Sequence, residues 1–363
     1  MGSSSVVVNL SPLIVKPTGH SVYMDNIVGR IAAIDPILLL SERMQGSWEQ
    51  RHPGFRIERA PDGLTSDEGS RGHLRRLIWT QRELPKAFHR LGGDLLFSPI
   101  PEAPIGTRIP YVVTLYDFIP MAVSSVRAPL HVYFRRYVPP VLRRARRILS
   151  ISSATASEAM RRFGVDAARI EVIPLAHDAD HFRPLGLPLG RYFLYIGRMD
   201  PYKNVERAIR AFAALPDRGD LEFWIAGPRD ERYTPTLERV AAELSVPLRV
   251  LNYVPYDDLP GIINQAIALV FVSQAEGFGL PVLEAMACGT PVITSDRSSM
   301  PEVAGEAALL CDPTDTQALT SAMARIHSEP GLRAELSERG LRRAATFSWD
   351  RAAAETMEVL RST

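Results

Sequence analysis

The stretch from Ala268 to Ser295 limits what this chain can fold into more than any other. Ala268-Leu269-Val270-Phe271-Val272-Ser273 is short, apolar and rich in β-branched residues, the pattern of a parallel strand buried on both faces. Pro291-Val292-Ile293-Thr294-Ser295 gives a second such strand. Between them lies a loop and a short helix. Gly277 and Gly279 are free to take backbone conformations closed to other residues. Pro281 suits a first helical turn, where a missing N–H is harmless. Gly289 stands where a left-handed cap would end the helix, and Pro291 forbids its continuation. The unit is strand, glycine loop, helix N-terminus, which in an open α/β sheet is where ligands bind.

Two carboxylates bracket this loop, Glu276 at its entrance and Glu284 on the helix. Free N–H groups at a helix N-terminus favour an anion. Carboxylates beside a phosphate would repel it unless they face another part of the same ligand. Sugar and ribose hydroxyls are natural partners, because a carboxylate accepts from two vicinal OH groups. The stretch therefore suits a nucleotide sugar. The competing reading leaves Glu276 solvated and Glu284 an ordinary helix residue.

With the intervening Gly-Phe-Gly-Leu-Pro and the following Ala-Met-Ala-Cys-Gly-Thr-Pro-Val-Ile, the pair closely resembles the E-x7-E signature of retaining glycosyltransferases of family 4. The resemblance covers nearly all the chain and is strongest from 190 to 313. It implies the GT-B fold, an α/β architecture of two doubly wound Rossmann-like domains facing a cleft. The expected division is an N-terminal acceptor-side domain over 1–182, a C-terminal nucleotide-sugar domain over 183–345, and a final helix over 346–363 crossing back to the first.

Composition agrees with two globular domains. The chain has 363 residues, a formal net charge of +1 and two cysteines, Cys288 and Cys311. That balance leaves no nucleic-acid footprint. The cysteines lack metal-ligand spacing and read as small buried hydrophobes, which fits a reducing, cytoplasmic setting. No apolar run reaches the length of a membrane span, and Met1–Ser5 does not read as a signal peptide.

Taken in order, Val6–Leu10 reads as a first strand, followed by a loop with Pro12, Pro17 and Gly19, then a helix from about His20 to Ala33. The resemblance places Gly19 near the donor phosphates and the acceptor; the alternative is a plain turn glycine. His20 is either a site residue or a solvated first-turn residue. Strands are expected at 37–41, 94–98 and 111–115, with a polar loop over 60–73 and a helix over 72–91 kinked at Pro85. Tyr116-Asp117 follows the strand at 111–115, where the family often has His-Asp with the histidine reaching the donor sugar. Asp117 is carried over as a catalytic candidate; Tyr116 cannot titrate near neutral pH, and a packed strand residue is its other reading. Arg135 to Arg147 is basic with interleaved apolar residues. It reads either as a peripheral contact with anionic lipid at the inner face of the membrane or as a solvated helix broken by Pro139-Pro140.

Strands at 148–152 and 169–175 complete the first half, with Thr155-Ala156-Ser157-Glu158 as a capping-box opening between them. His177-Asp178-Ala179-Asp180-His181 has the look of a metal cluster, but it abuts the Pro/Gly linker 182–186 and matches an interdomain stretch of the family that holds no metal. The second half alternates strand and helix, with strands at 192–196, 221–227, 248–254, 268–273 and 307–311. Arg198 and Lys203 lie on the loop after the first of these, and the resemblance assigns both to the donor diphosphate. Tyr253 and Val254, at the end of strand 248–254, join the donor-binding set.

The resemblance thus implies a metal-independent hexosyltransferase without a cofactor. Arg198, Lys203 and the amides of Gly277, Phe278, Gly279 and Leu280 would stabilise the leaving phosphates. Glu276 would orient the sugar and Glu284 the ribose. The donor would be of the GDP-mannose or UDP-glucose type, as in the bacterial polysaccharide mannosyltransferases that the chain resembles, and the acceptor a saccharide or lipid-linked molecule. A sugar-nucleotide epimerase of the same fold, or a member that only binds, is the alternative. An oxidoreductase is disfavoured, because Gly277-x-Gly279 lacks a third glycine at position 282.

Overall fold

Apolar runs bounded by glycine and proline become parallel strands here, and the amphipathic segments between them become the covering helices. A computed structural model describes residues 5–14, 18–123 and 128–363. Met1–Ser4 and Pro17, which entered the sequence reading, lie outside the described residues. The chain divides into two units, Met1–Leu175 with Trp349–Thr363, and Ala176–Ser348.

The first unit holds β1 (Val6–Asn9), β2 (Ile37–Ser41), β3 (Arg56–Ala60), β4 (Leu95–Ser98), β5 (Tyr111–Leu115), β6 (Arg147–Ser150) and β7 (Ile170–Val172). They form one parallel sheet in the order β3-β2-β1-β4-β5-β6-β7. The second unit holds β8 (Tyr192–Ile196), β9 (Glu222–Ala226), β10 (Leu248–Asn252), β11 (Ala268–Phe271), β12 (Val292–Ser295) and β13 (Leu309–Cys311), in the order β10-β9-β8-β11-β12-β13. Strand order reverses between β1 and β4 in one sheet and between β8 and β11 in the other. Such a reversal opens a crevice at the carboxyl ends of the strands, where ligands bind in doubly wound sheets. Val7, Val8, Leu38 and Leu39 are completely buried in the first sheet, as are Phe193, Leu194, Leu269 and Val270 in the second.

The helix Trp349–Ser362 belongs to the first unit. It packs against the helix Gly19–Val28, with Trp349, Val359 and Leu360 buried and Asp350 bonded to Arg30 at 2.8 Å. Both cysteines are buried free thiols.

Several local expectations need correction. β3 is absent from the expected strands; its Arg56-Ile57-Glu58-Arg59-Ala60 sequence lacks an apolar run because it is an exposed edge strand, and charges guard such edges. The expected kinked helix over 72–91 is two helices, Gly69–Arg82 and Leu84–Arg90, with Pro85 in the first turn of the second. Pro139 and Pro140 likewise open a new helix, Val138–Arg144, after Pro129–Arg136. Proline starts these helices rather than bending them. The expected helix end at Ala33 comes at Val28. The helix Ser153–Phe163 is capped by Ser152, whose hydroxyl accepts from the Thr155 N–H, three residues before the anticipated opening. Strand 248–254 ends at Asn252, so Tyr253 and Val254 stand in the following loop.

Candidate active site

In the second unit the candidates converge on the crevice between β8 and β11. The chain leaves β8 at Gly197, turns through Pro201–Lys203 and enters the helix Val205–Ala213. It leaves β11, passes Glu276 and enters the helix Leu280–Ala287. These two loops meet: the Lys203 ammonium donates to Glu276 Oε1 at 2.6 Å, with both side chains largely buried. The ammonium also lies 5.2 Å from the Tyr202 ring centre and 5.4 Å from that of Phe271, so ring faces share in holding the cation. Lys203 has three donors, and among the described residues Glu276 is its one hydrogen-bond acceptor.

The competing reading of Glu276 as a solvated loop residue does not hold. Glu276 is 9% exposed. Its N–H donates to Ser298 Oγ, and its carbonyl accepts from the hydroxyls of Ser298 at 2.6 Å and Ser299 at 3.1 Å. Ser299 Oγ also donates to the Phe278 carbonyl at 2.9 Å. The loop from Glu276 to Phe278 is thus pinned by two serines that the sequence reading passed over. Their signal was positional, a polar turn after β12 in the same sheet.

Of the two loop glycines, only Gly279 takes a positive φ, +108°, a value that a side chain would strain. Pro281 falls in the first helical turn as expected. Gly289, at φ +74°, ends the helix: its N–H bonds the Met286 carbonyl and the Thr290 N–H bonds that of Ala285. This is the paired bonding of a left-handed glycine cap. Nearby, a side chain on Gly227 would lie 1.9 Å from the Gly197 carbonyl oxygen, so the loops after β8 and β9 touch backbone to backbone.

Arg198 is exposed and pairs with Asp200 at 3.1 Å. Glu284 lies partly buried on the helix Leu280–Ala287, and among the described residues its carboxylate has no hydrogen-bond or ion-pair partner. Burial pushes its pKa up to about 7. Tyr253 is exposed, and Tyr256 stacks on His181 with ring centres 4.0 Å apart. In the His177–His181 stretch, Asp178 Oδ1 accepts from the N–H groups of Asp180 and His181, a turn-forming role. Among the described residues no group of three His, Cys, Asp or Glu side chains stands together to hold a metal ion.

In the first unit Gly19 opens the helix Gly19–Val28, capped by Thr18 and Ser21 bonding each other's N–H groups. Open space stands where a Gly19 side chain would be. Tyr116 is buried and donates to the Pro99 carbonyl at 2.7 Å, so its hydroxyl is engaged within the protein. Asp117 Oδ1 accepts from the Ile119 N–H at 2.9 Å. Gly19, Tyr116 and Asp117 stand around the strand ends of this sheet, where His20, Tyr116 and Asp117 help to line a cavity of about 270 Å³. One wall is a charge pair that the sequence did not disclose. Arg76 grips Glu102 through two bonds of 2.8 Å, donates to the Leu64 carbonyl, and is largely buried with its partner.

Residues 180–343 match the model of glycosyl transferases group 1, and residues 46–181 that of glycosyltransferase family 4. The chain thus matches glycosyltransferase models over most of its length. It is 33% identical over 241 residues to O-antigen chain mannosyltransferase B of Escherichia coli, a match spanning 62% of this chain and 63% of that protein, less than two thirds of the relative's length. It is 26% identical over 333 residues, 90% of this chain and 92% of the relative, to the O-antigen chain mannosyltransferase RfbU of Salmonella typhimurium. Among solved structures, Anabaena HepE in complex with UDP-glucose superposes with a TM-score of 0.77 at 19% identity, over 99% of this chain and 100% of that one. The fold is GT-B.

Proposed function

We propose that this glycosyltransferase moves a hexose, mannose or glucose, from a nucleoside-diphosphate sugar to a saccharide or lipid-linked acceptor, with retention of anomeric configuration and without a metal ion. The Lys203–Glu276 contact carries the reading. It joins a cation and a carboxylate at the β8–β11 reversal, beside the N-terminus of the helix Leu280–Ala287. The leaving group gains negative charge as the glycosidic bond breaks. Lys203, with two donors still to use, and the Gly277–Leu280 amides stabilise that charge, and Arg198 reaches the same anion from its exposed loop. Glu276, already fixed by Lys203 and the two serines, holds the sugar. Glu284 takes the ribose hydroxyls on its unpaired carboxylate, and Tyr253 with Val254 borders the base. No side chain is needed as a separate base when the departing phosphate takes the acceptor's proton on the same face. The relatives named as mannosyltransferases support mannose.

A peripheral membrane contact is part of the same proposal. Leu74, Ile78, Leu130 and Val132 are exposed. They share the outer faces of Gly69–Arg82 and Pro129–Arg136 with exposed Arg71, Arg75, Arg135 and Arg136. Apolar residues framed by arginines suit an anionic lipid surface.

The deciding experiment supplies GDP-mannose or UDP-glucose, with and without candidate acceptors, in buffer containing EDTA. Transfer that survives EDTA and retains the anomeric configuration supports the proposal. Transfer that requires added Mg²⁺ or Mn²⁺ removes the metal-independent step. An isomeric sugar nucleotide formed without acceptor would make the chain an epimerase.

A further inference from the structure

The chain enters the second unit at Ala176, and the residues just after it make a contact that the donor chemistry above does not use. His181 lies flat on Tyr256, with ring centres 4.0 Å apart and planes 7° from parallel. Its Nε2 stands 2.8 Å from the Tyr256 carbonyl oxygen. A carbonyl only accepts, so this nitrogen carries a proton and donates it. Phe182, itself buried, closes edge-on against the same tyrosine, the centres 5.6 Å apart. Tyr256 is thus held on one ring face, at the ring edge and through its backbone.

Tyr256 stands in the loop between β10 and the helix Leu259–Asn264, two residues beyond Val254. Over 252–258 no residue is buried. A stretch with so little buried surface opens at small cost unless another element holds it. The segment that supplies the hold is itself fastened along the helix Leu259–Asn264. The Leu185 N–H donates to Asn264 Oδ1 at 2.7 Å, and Asn264 Nδ2 donates to the Arg183 carbonyl at 3.0 Å. The Gly190 N–H donates to the carbonyl of Gln265, just past the helix, at 2.7 Å. His181 therefore grips the loop from a fixed base. The loop stands close enough to Glu284 to feel its charge: after burial and the Asp178 carboxylate, Glu284 helps to push the Tyr256 phenol up.

We infer that His181 is a positioning residue for the donor nucleotide, whose stack on Tyr256 holds the loop 253–258 in the conformation that borders the base. The inference rests on the nucleotide-sugar reading, and it assigns His181 no contact with the ligand. A loop ordered in advance need not be ordered by the nucleotide. When the hold is lost, apparent affinity falls by the fraction of molecules whose loop is still in place.

Calorimetry on the full chain with UDP, GDP and pyrophosphate tests this. His181→Ala removes the stack and the hydrogen bond together. It should weaken binding of whichever nucleotide the wild type prefers by about tenfold, the scale of an aromatic pair with a neutral hydrogen bond. Pyrophosphate engages the Lys203 end of the site alone, and its affinity should stay at the wild-type level. His181→Phe keeps a ring on Tyr256 and loses only the bond, so it should recover most of the nucleotide affinity.

Equal nucleotide affinity in His181→Ala and wild type overturns the inference. A parallel loss for pyrophosphate also overturns it, because the contact would then be a general support of the domain. His181→Phe that binds as weakly as His181→Ala overturns the part given to the stacked ring. If His181→Ala does not fold, Tyr256→Ala removes the same stack from the exposed loop and decides by the same comparison of nucleotide with pyrophosphate. A wild type that binds neither UDP nor GDP refutes the nucleotide reading itself, and the positioning role falls with it.

Discussion

Each sheet of this protein places a buried cation–carboxylate pair near the point where its strand order reverses, and the two pairs differ in kind. Arg76 and Glu102 are bonded twice, with a carbonyl and a tyrosine hydroxyl closing the network. Lys203 and Glu276 share one hydrogen bond, and two of the lysine's donors have no protein acceptor among the described residues. A planar guanidinium locks a carboxylate in a fixed fork, whereas an ammonium is a point charge with rotatable donors. The first pair is a neutral wall. The second is a site that an incoming phosphate can share. Similar charges in similar places thus serve opposite ends, and the number of donors left over separates them.

The largest effect expected from this comparison concerns Lys203→Ala. Removing one partner of a buried pair strands the other charge, at a cost of about 3–5 kcal/mol, and transfer should fall by at least a hundredfold. The double variant Lys203→Ala with Glu276→Gln should recover most of the thermal stability and none of the activity. A single variant as stable as wild type would show that the pair is already open to solvent, and the contrast with Arg76–Glu102 would disappear.

Glu284→Gln comes next, and it brings in pH. The folded carboxyl titrates at about 7 against an ordinary value of 4.5, because burial disfavours its charge. Between those values the folded state holds the proton more tightly than the unfolded chain does. The ligand-free protein should therefore lose stability as pH rises from about 4.5 to 7, and Gln should flatten that slope. Ribose hydroxyls favour the ionised form, so nucleotide binding should tighten as pH rises toward 7 and release a proton. Calorimetry in buffers of different ionisation enthalpy measures that proton. The variant should bind UDP or GDP about tenfold more weakly, the scale of a charge-assisted bond. A pH-independent affinity would remove Glu284 from the site.

Tyr116→Phe is a smaller change. It deletes the bond to the Pro99 carbonyl, and denaturant melts should register about 1 kcal/mol with kcat unchanged. A large fall in kcat would restore Tyr116 to a functional role. Asp350→Ala should do least. Its pair with Arg30 is solvent-facing, with Asp350 88% exposed, and such pairs contribute at most about 1 kcal/mol. A bigger loss in thermal stability would blur the line drawn between buried and exposed pairs.

The two sites also differ in how far the sequence revealed them. The loop after β11 could be read because its instructions are local: Gly279, Pro281 and Gly289 each specify a backbone state within a few residues. The Lys203–Glu276 contact was less accessible, since seventy-odd residues separate its members and only the sheet order brings β8 beside β11. The serines at 298 and 299 were hidden for the same reason. In the first unit, Arg76 lay within an arginine-containing amphipathic helix and Glu102 in a proline-rich turn. Neither pattern hints at its partner. His20 had a solvated alternative, and its exposure in the structure keeps that reading beside the ring contact with Tyr116. The edge strand β3 escaped notice because charges replace the apolar run that marks interior strands. The doubly wound architecture itself was plain, as it depends on repeated strand and helix signals rather than on any one contact.

The helix Trp349–Ser362 carries a further consequence, one of order in time. It completes the first unit, yet the whole of residues 176–348 precedes it in the chain. During synthesis the helix Gly19–Val28 waits for its cover while an entire second domain emerges. Until then a chaperone or a neighbouring nascent chain has access to the apolar surface that Trp349, Val359 and Leu360 later occupy. Folding of the intervening domain shortens the distance that the last segment must search, because it replaces a long flexible tether with a compact body whose two ends are fixed. The second domain therefore acts as a scaffold for finishing the first, and a slow-folding variant of it would leave both unfinished.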